Sequence, residues 1–507
     1  MALEIVRRVR GNLHGSIDVS MLEDKVIAHP IFQRLRRIKQ TAFLSFVFPG
    51  ASHTRFEHSL GTMHLAGKAW MKIWENQKRL RASCEKIPSF STKERIEEGE
   101  EAHGILYPTF SCLESIFSND YILQTLRLAA LCHDIGHPPF SHSGERFLPC
   151  LSELKKGMKD LPPFLEGYLD TLSDDLKQED RELSPVSHEV YTVLLMYRLL
   201  RDVYQDYPTL ELKVSAQDVV SIIAPTISPE KGSPLETYCA RHLCHELISG
   251  EIDIDRMDYL RRDSKECGVV YGIFDAERIL DSLSLYFDPK EELLHLAIQF
   301  SGLAAFEDYL RARQSMYIQL YFHKTSVACE AMFQSVNRSI KAWHLPADLD
   351  SYIKVDEWNL MDKLKSAVES HCEEHAKEKA HQTLDDLLYR RKLWKRIYEI
   401  SESLAGQNSN KDLEQAEQVL SKIGIFFESV SSKTYITKLR PRKKGAKSPN
   451  YLRLIKKDGK QLPRVVPIED FSNITKSANT TNIERIYVAH EDAKKAAEKL
   501  MEAFYEC

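Results

Sequence analysis

The spacing of apolar residues predicts a chain built mainly from helices. In IFQRLRRIKQ, Phe32, Leu35 and Ile38 recur at helical intervals, and HSLGTMHLAGKAWMKIW predicts a second amphipathic helix. The helix YILQTLRLAALCHD is apolar on nearly every side, which indicates burial, and it is expected to stop at Gly136 and Pro138. Further helical patterns cover residues 187–204, 236–248, 255–263, 276–287, 303–335 and 358–404.

Strand patterns are expected only near the C-terminus, where KTYITKL, NYLRLIKK and ERIYVAH alternate or carry β-branched residues. Residues 490–505 predict a final amphipathic helix, and the charged stretch after residue 84 predicts a surface insertion. We therefore expect a mainly α fold. Its predicted parts are a large helical domain over 1–350 with an insertion at about 84–116, a helical extension over 351–425, and a small α+β lobe over 426–507 that would serve regulation or oligomerisation.

Composition narrows the class of protein. With 507 residues, 43% hydrophobic and 28% charged, the chain is typical of a soluble globular protein, and its net charge of −5 argues against a general nucleic-acid binder. The first residues do not resemble a signal peptide, and no apolar run is long enough for a membrane span. The ten cysteines are scattered, which fits reduced thiols, so we expect a cytoplasmic location. RPRKKGAKSPNYLRLIKKDGK could hold nucleic acid, but a solvated basic hairpin is the favoured interpretation.

Three segments together predict a metal centre. LCHDIGHPPFSH supplies His133 and Asp134 at the end of a buried helix, RFEHSLGTMHLAG supplies His58, and EIDIDRMDYLRRD supplies Asp255. Taken singly, His58 could be a core histidine and Asp255 could cap a helix. Imidazoles and carboxylates in combination suit a first-row divalent cation, so the set predicts a metal-dependent phosphohydrolase.

Two helical faces could line a substrate pocket beside that centre. Asp255, Tyr259 and Asp263 recur every four residues, and Arg313, Tyr317, Tyr321 and Lys324 follow at spacings of four, four and three. Cations and phenols suit a phosphorylated ligand, although arginine stacked on tyrosine on a solvated face is the alternative. His188 begins an apolar helix and could enter the same pocket or simply cap the helix. Neither a Walker loop nor a GxSxG motif is found, which leaves P-loop and serine-nucleophile chemistry unsupported.

The quoted motifs resemble those of the HD-domain deoxynucleoside triphosphate triphosphohydrolases, a family that includes a vertebrate viral restriction factor and bacterial relatives. The resemblance implies an HD-domain helical bundle that hydrolyses a dNTP to a deoxynucleoside and inorganic triphosphate. It implies one divalent metal per active site (Mn, Fe, Mg or Zn), with an additional Mg accompanying the nucleotide. Metal ligation is expected from His58, His133, Asp134 and Asp255.

The resemblance also assigns the residues around the substrate. Catalytic roles are expected for His137, His142 and His188, with His142 or His188 as proton donor, and for Glu145, where the family typically has aspartate. Gln40 and Asp263 would hold the sugar 3′-hydroxyl. The full set of expected substrate contacts is Gln40, Thr41, Arg55, Arg256, Tyr259, Asp263, Arg313, Tyr317, Tyr321 and Lys324.

Two departures from the family pattern bear on selectivity and regulation. Thr41 stands where the family has a leucine that crowds the ribose 2′ side, and Ala28 stands where nucleotide-activated tetramers have an acidic residue. We expect nucleotide regulation with an altered effector, a homo-oligomer (dimer or tetramer), and a role in antiviral or antiphage dNTP depletion. The expected effector site comprises Gln33, Arg36, Val47, Phe48, Asp275 and Arg278.

Two other functional classes stay open on the sequence. An HD-type phosphodiesterase or nuclease acting on cyclic or linear nucleotides would use the same metal ligands. A nucleotide-sensing or scaffold protein would keep the fold without turnover, although unused buried His and Asp clusters are costly.

Overall fold

The computed structural model is mainly α, as predicted, with small sheets and a C-terminal α+β lobe. It describes residues 3–84, 110–179, 182–236, 240–288, 292–401, 409–435, 437, 452–457, 463–476 and 480–505. Most of the surface insertion that we expected at about 84–116, and the basic stretch RPRKKGAKSP, lie outside these residues. No helix within the described ranges is long and apolar enough to cross a membrane.

The helices of the described residues account for most of the chain. The first half holds α1 (Met21–Ala28), α2 (Pro30–Gln33), α3 (Arg55–Cys84), α4 (Phe110–Phe117), α5 (Asp120–Cys132), α6 (Ser141–Gly144), α7 (Leu151–Gly157), α8 (Pro163–Gln178), α9 (His188–Asp206), α10 (Ala216–Ile223) and α11 (Ala240–Ser249). The second half holds α12 (Ile254–Glu266), α13 (Ala276–Ser282), α14 (Leu303–Met316), α15 (Lys324–Ser339), α16 (Leu349–Tyr352), α17 (Glu357–His371), α18 (Glu374–Leu388), α19 (Ser409–Lys422), α20 (Asn473–Lys476) and α21 (Ala493–Tyr505).

The described residues also form three small sheets. Their strands are β1 (Ile5–Gly11), β2 (Gly15–Ser20), β3 (Leu283–Asp288), β4 (Leu293–Gln299), β5 (Lys395–Ser401), β6 (Phe427–Tyr435), β7 (Arg453–Lys456), β8 (Arg464–Pro467) and β9 (Thr480–Val488). Strands β1 and β2 form a hairpin, the second sheet has the order β3-β4-β7-β8 with β4 and β7 parallel, and the third has the order β5-β9-β6.

Several of these strands correct our expectations. The pattern over 276–287 predicted helix, but the chain turns into β3 at Leu283, and the helical pattern over 358–404 ends in β5. The β1–β2 hairpin and β4 were not anticipated either. Strands β6, β7 and β9, by contrast, fall where the C-terminal patterns predicted strands.

Helix α5 lies in the centre of the core and positions the His-Asp pair. Asn119 caps its first turn, and every residue from Thr125 to Cys132 is buried. The helix ends at His133, just before Gly136. A Cβ at Gly136 would overlap the backbone of α9 at His188 and Thr192, so glycine permits the close approach of these two segments.

Helix α3 carries His58 and packs directly against α12. Gly61, one turn after His58, allows this contact, because a Cβ there would overlap the Asp258 carboxylate. Asp258 and its neighbour Arg262 are buried on the facing side of α12. Helices α3, α5 and α12 thereby bring their polar ends to one place in an otherwise apolar core.

The predicted single helix over 303–335 is interrupted. Helix α14 ends at Met316, a π-helical turn covers Tyr317–Tyr321, and α15 begins at Lys324. The wider π turn shifts the phase of the side chains that follow it. Arg313 and Lys324 therefore belong to different helices and do not lie on one continuous helical face.

The C-terminal lobe has a core of its own. Helices α19 and α21 pack on the β5-β9-β6 sheet through a small apolar cluster centred on Ala416, Leu420, Ile486 and Val488. Strand β5 comes from the stretch for which we expected a helical extension, so that stretch contributes to the lobe sheet.

Candidate metal centre and active site

Four predicted ligands converge at the meeting point of α3, α5 and α12. His58 Nε2 lies 2.9 Å from Asp255 Oδ1 and 3.3 Å from His133 Nε2. The same His58 atom lies 3.5 Å from Asp134 Oδ2, and His133 Nε2 lies 3.4 Å from both Asp134 Oδ1 and Asp255 Oδ1. These donors surround one point, as the ligands of a single cation do.

The hydrogen bonds behind the two histidines show that the donors fit a cation. His58 Nδ1 lies 2.8 Å from Asp258 Oδ2, and His133 Nδ1 lies 2.8 Å from the Ala130 carbonyl oxygen, so each Nδ1–H donates away from the centre. Both Nε2 lone pairs then face each other and the carboxylates. That arrangement is repulsive until a positive charge sits between them, and His/Asp sets of this kind hold divalent metals.

The pKa values of His58 and His133 are raised, which indicates that their surroundings favour a positive charge. Burial alone would lower the pKa of His58, but hydrogen bonds with Asp255 and Asp258 raise it to about 10. The pKa of His133 is likewise raised, because the charges of Asp134 and Asp255 outweigh its burial. A cation at the centre would take the place of these protons.

Asp258 contacts His58 on the side away from the other ligands, and the sequence did not indicate this role. Besides His58, its carboxylate contacts His14 Nε2 at 2.6 Å and accepts hydrogen bonds from Arg262 Nε at 2.7 Å and Nη2 at 2.9 Å. Burial would raise the pKa of Asp258, but Arg262, His14 and His58 hold it well below the usual range. Asp258 therefore stays ionised and fixes the orientation of the His58 ring. Its position one turn after Asp255 could have suggested it.

Arg55 supports Asp134 from behind. Its guanidinium pairs with Asp134 Oδ2, and its Nε donates to Ser141 Oγ at 2.9 Å. Burial would raise the pKa of Asp134, but the Arg55 charge holds it well below its ordinary value. The resemblance implied a triphosphate contact for Arg55, and the structure places its charge against Asp134, a predicted metal ligand.

The predicted catalytic group forms a second cluster beside the first. Glu145 Oε1 lies 2.8 Å from His142 Nδ1 and 2.7 Å from His188 Nδ1, so one carboxylate orients two imidazoles. The His137 ring stacks on His188 with centroids 3.5 Å apart, and His137 Nε2 lies 3.4 Å from Asp134 Oδ1. His188 thus faces the pocket and does not merely cap its helix. These four residues could also hold a cation.

The charges of this second cluster are unequal. Burial would raise the pKa of Glu145, but hydrogen bonds from His142 and His188 lower it to about 2. Burial, the Arg55 charge and His188 together keep the pKa of His137 well below its usual value, so that ring is neutral. Two oriented histidines with free Nε2 edges are suited to proton transfer.

A wall of phenols extends from the metal centre. The Tyr259 ring lies 6.4 Å from the His58 ring and 6.2 Å from the Tyr321 ring, and its hydroxyl lies 3.4 Å from that of Tyr317. Tyr321 donates a hydrogen bond of 2.7 Å to Asp263 Oδ2. The structure therefore brings Tyr259, Tyr317, Tyr321 and Asp263 together, although α14 and α15 are not one helix.

Gln40 and Thr41 lie at the far end of this wall. The backbone amide of Gln40 donates a hydrogen bond to the His53 carbonyl oxygen, and His53 Nε2 lies 2.7 Å from Asp263 Oδ1. Gln40 Oε1 and Thr41 Oγ1 are buried and have no hydrogen-bond partner within the described ranges. Buried polar atoms in this condition call for a ligand or water. His53 was not predicted, since its partner Asp263 is 210 residues away.

The remaining predicted cations have different surroundings. Arg256 pairs with Asp253 Oδ2 at 3.0 Å, and Asp253 caps α12 by accepting from the Arg256 amide, so Asp255 is not the cap. The Arg313 guanidinium lies 5.9 Å from the Tyr317 ring centroid, and Lys324 begins α15.

The six expected effector residues occupy several short segments. Arg36 Nε donates to Gln33 Oε1 at 2.9 Å, and the Asp275 carboxylate caps α13 by accepting from the Arg278 amide. Val47 and Phe48 follow a 3₁₀ turn, and the Phe48 ring lies 6.0 Å from the His323 ring. Phe48, with its neighbour Val47, therefore lies near the junction between the π turn and α15.

A basic cavity that the sequence did not reveal lies at that junction. Its volume is about 340 Å³, and it is lined by Lys324, Thr325, Arg390, Arg391, Leu393, Trp394, Lys395, Arg396 and His490. Arg390 Nε also donates to the Phe46 carbonyl at 2.8 Å, which joins the cavity to the Val47–Phe48 segment. Five arginine and lysine side chains around one cavity suit an anionic ligand.

Comparison with known proteins gives the same assignment of fold. A model of the HD associated region matches residues 274–431. A hypothetical protein from Aquifex aeolicus superposes with a TM-score of 0.62 at 22% identity, covering 97% of this chain and 99% of that one. A phosphohydrolase from Bacteroides thetaiotaomicron superposes with a TM-score of 0.58 at 21% identity, covering 95% and 99%.

Sequence relatives extend this picture. An uncharacterised protein of Bacillus subtilis is 30% identical over 62% of this chain and 51% of its own length, and one of Methanocaldococcus jannaschii is 27% identical over 70% and 57%. The deoxynucleoside triphosphate triphosphohydrolase SAMHD1 of Mus musculus is 26% identical over 65% and 43%. The chain spans about half the length of the curated relatives it matches. These comparisons relate the chain to proteins with an HD associated region and to SAMHD1, a deoxynucleoside triphosphate triphosphohydrolase.

Proposed function

We propose that this protein hydrolyses deoxynucleoside triphosphates to deoxynucleosides and inorganic triphosphate. The observation that carries the proposal is the path from the metal centre along Tyr259 and Tyr321 to Asp263, which pairs with His53, whose carbonyl accepts from the backbone amide of Gln40. The Gln40 side-chain oxygen is buried without a hydrogen-bond partner within the described ranges. A phosphate chain at the cation and a sugar on the phenols would bring its 3′-hydroxyl to Asp263 and Gln40. The relatedness to SAMHD1 supports the same substrate class.

Each part of the pocket has a separate task in this proposal. His58, His133, Asp134 and Asp255 would hold a divalent metal, which would supply Lewis-acid polarisation of a phosphoryl group. Arg313 and Lys324 offset the charge of the triphosphate. Water adds at the α-phosphorus, the bond from that phosphorus to the 5′-oxygen breaks, and His142 or His188 gives the leaving oxygen its proton while Glu145 holds the ring.

Product identification tests the proposal directly. The full chain is incubated with Mn²⁺ and each dNTP, and products are separated by chromatography. Deoxynucleoside and triphosphate in equal amounts are expected. Cleavage of oligonucleotides or cyclic nucleotides without dNTP turnover would instead indicate a phosphodiesterase or nuclease. Tight nucleotide binding without turnover would indicate a sensor or scaffold.

The double variant His133→Ala with Asp134→Ala should abolish turnover, because it removes two of four metal ligands. The matched control is His381→Ala with Glu369→Ala, which breaks an exposed imidazole–carboxylate pair of 2.6 Å on α17 and α18. Retained activity in the first variant would remove the metal centre from the mechanism.

We further propose that a nucleotide regulates this activity from the basic cavity beside Lys324, and that the active form is a homo-oligomer. The cavity joins the Val47–Phe48 segment through Arg390 and opens beside the junction between the π turn and α15. A triphosphate bound there would contact Lys324 itself, three residues after Tyr321.

Titration of each NTP and dNTP against turnover of a second substrate tests regulation, with light scattering to follow the oligomeric state. Arg391→Glu with Lys395→Glu should raise the concentration for half-maximal activation by about tenfold or more, the effect of losing one charge-assisted contact of about 1.4 kcal/mol. Lys392→Glu, an exposed neighbour that does not line the cavity, is the control. Full activity with a single substrate and no response to any other nucleotide would contradict regulation.

A further inference from the structure

A third cluster of side chains that could ligate a metal lies outside the active site. His242 and Glu246 are one turn apart on α11, and His295 projects from β4, which packs against α11. We refer to these three residues as the α11–β4 cluster. None of the three belongs to the metal centre, to the basic cavity, or to the second cluster that Glu145 forms with three histidines.

The three side chains meet at one point. Glu246 Oε1 lies 2.8 Å from His295 Nδ1 and 3.2 Å from His242 Nε2, and the two imidazole nitrogens lie 3.3 Å apart. Ligand atoms at the corners of a tetrahedron around zinc, with bonds of about 2.0–2.1 Å, lie about 3.3 Å from one another. Two of the three separations already match that spacing.

The cluster repeats three of the four donors of the metal centre, which also has the Asp134 carboxylate. There, two histidine nitrogens also lie 3.3 Å apart, and Asp255 Oδ1 lies 2.9 Å and 3.4 Å from them. Here Glu246 takes the place of Asp255 at 2.8 Å and 3.2 Å. Both clusters comprise two imidazoles and a carboxylate whose ligand atoms could serve one metal ion.

The surrounding structure holds these donors in place. Glu246 Oε2 accepts the Leu296 amide at 2.7 Å, which leaves Oε1 directed at the two imidazoles. The Tyr286 ring on β3 stacks on His295 with centroids 5.2 Å apart at an interplanar angle of 19°. His295 is buried, whereas the side chains of His242 and Glu246 are 26% and 18% exposed, so an ion can enter from the His242 side.

We propose that the α11–β4 cluster binds a divalent transition metal, with zinc as the best match, and that this ion clips α11 to β4. Two histidines and one glutamate are a recurrent zinc set, and a histidine and a carboxylate four residues apart on a helix can share one ion. The clip would fix the helix that leads into α12, which carries Asp255. This inference is independent of the proposed reaction.

Metal analysis distinguishes the two sites. In the His133→Ala, Asp134→Ala background, protein equilibrated with zinc and freed of excess should retain one equivalent per chain at the α11–β4 cluster by mass spectrometry, in addition to any zinc held by His137, His142, Glu145 and His188. Adding His242→Gln and Glu246→Gln should remove that equivalent. Adding His381→Gln and Glu369→Gln, which alters another imidazole–carboxylate pair, should leave it in place. An equal zinc content in all three proteins would overturn the proposal.

Anomalous diffraction at the zinc edge, on crystals of the unaltered chain grown with zinc, avoids any effect of substitution on folding. A peak between His242, Glu246 and His295 is expected in addition to one at the metal centre. A cluster held only by hydrogen bonds would give a peak at the centre alone, and that result would overturn the proposal.

Discussion

At the scale of single residues, Glu145 decides the behaviour of two histidines. Its Oε1 atom accepts hydrogen bonds from both His142 Nδ1 and His188 Nδ1, which leaves the Nε2 atoms of both rings directed away from the carboxylate. An ionised carboxylate stabilises an imidazolium that has yet to give up its proton, and it fixes the tautomer afterwards. The aspartate that the resemblance leads us to expect at this position would have a shorter reach, whereas glutamate reaches both rings from the residue that follows α6.

Glu145→Gln should lower kcat with a smaller effect on KM. The amide keeps the size of the side chain, but it cannot offer a charged acceptor to two rings, so the proton transfer loses part of the about 10²–10⁴-fold that general acid catalysis supplies. Steady-state kinetics with a dNTP measures the change. Glu369→Gln, which alters the exposed Glu369–His381 pair, is the control. Equal kcat values in wild type and Glu145→Gln would exclude a catalytic role.

The same substitution has a signature in stability. Because the folded-state pKa of Glu145 is lowered from 4.5 to about 2, its ionised form stabilises the protein above about pH 4.5, and this contribution is lost as the pH falls towards 2. Denaturant unfolding of the variant should therefore depend less steeply on pH across that window than unfolding of the wild type.

At the scale of elements, sequence periodicity predicted the long helices and missed several strands, among them β3 and β4. Helix α5 was recognisable because its apolar run is long and ends at glycine and proline. LSLYFD and LLHLAIQ, which form β3 and β4, are short apolar runs, and periodicity cannot distinguish such runs from buried helix. The π turn at Tyr317–Tyr321 keeps the same residue types as an α-helix and leaves no pattern of its own.

The candidate site could be predicted where one segment supplies several ligands. His133 and Asp134 adjoin at a helix end, and Asp255, Tyr259 and Asp263 share one face of α12. The residues that orient them could not be predicted, because their contacts join distant segments. His53 meets Asp263 across 210 positions, and the basic cavity combines α15, the segment after α18 and His490.

At the scale of the whole molecule, the C-terminal lobe contacts the edge of the active site. Strand β9 is the central strand of the lobe sheet, and Arg485 on it donates a hydrogen bond of 2.8 Å to the Phe322 carbonyl. Tyr487 donates one of 2.9 Å to the carbonyl of Lys324. The lobe therefore holds the short connection between the π turn and α15, where a substrate-binding lysine is proposed.

Tyr487→Phe should weaken this connection without altering any side chain in the pocket. Loss of one hydrogen bond should lower the free energy of unfolding by about 0.5–1.5 kcal/mol, and more if the Lys324 carbonyl stays buried and unsatisfied. Lys324 is proposed to offset the charge of the triphosphate, so a displaced Lys324 would weaken substrate binding, and KM for a dNTP should rise. Urea unfolding and steady-state kinetics measure the two effects. Tyr435→Phe, at an exposed position on β6, is the matched control. An unchanged KM beside a reduced stability would mean that the lobe supports the fold but not the position of Lys324.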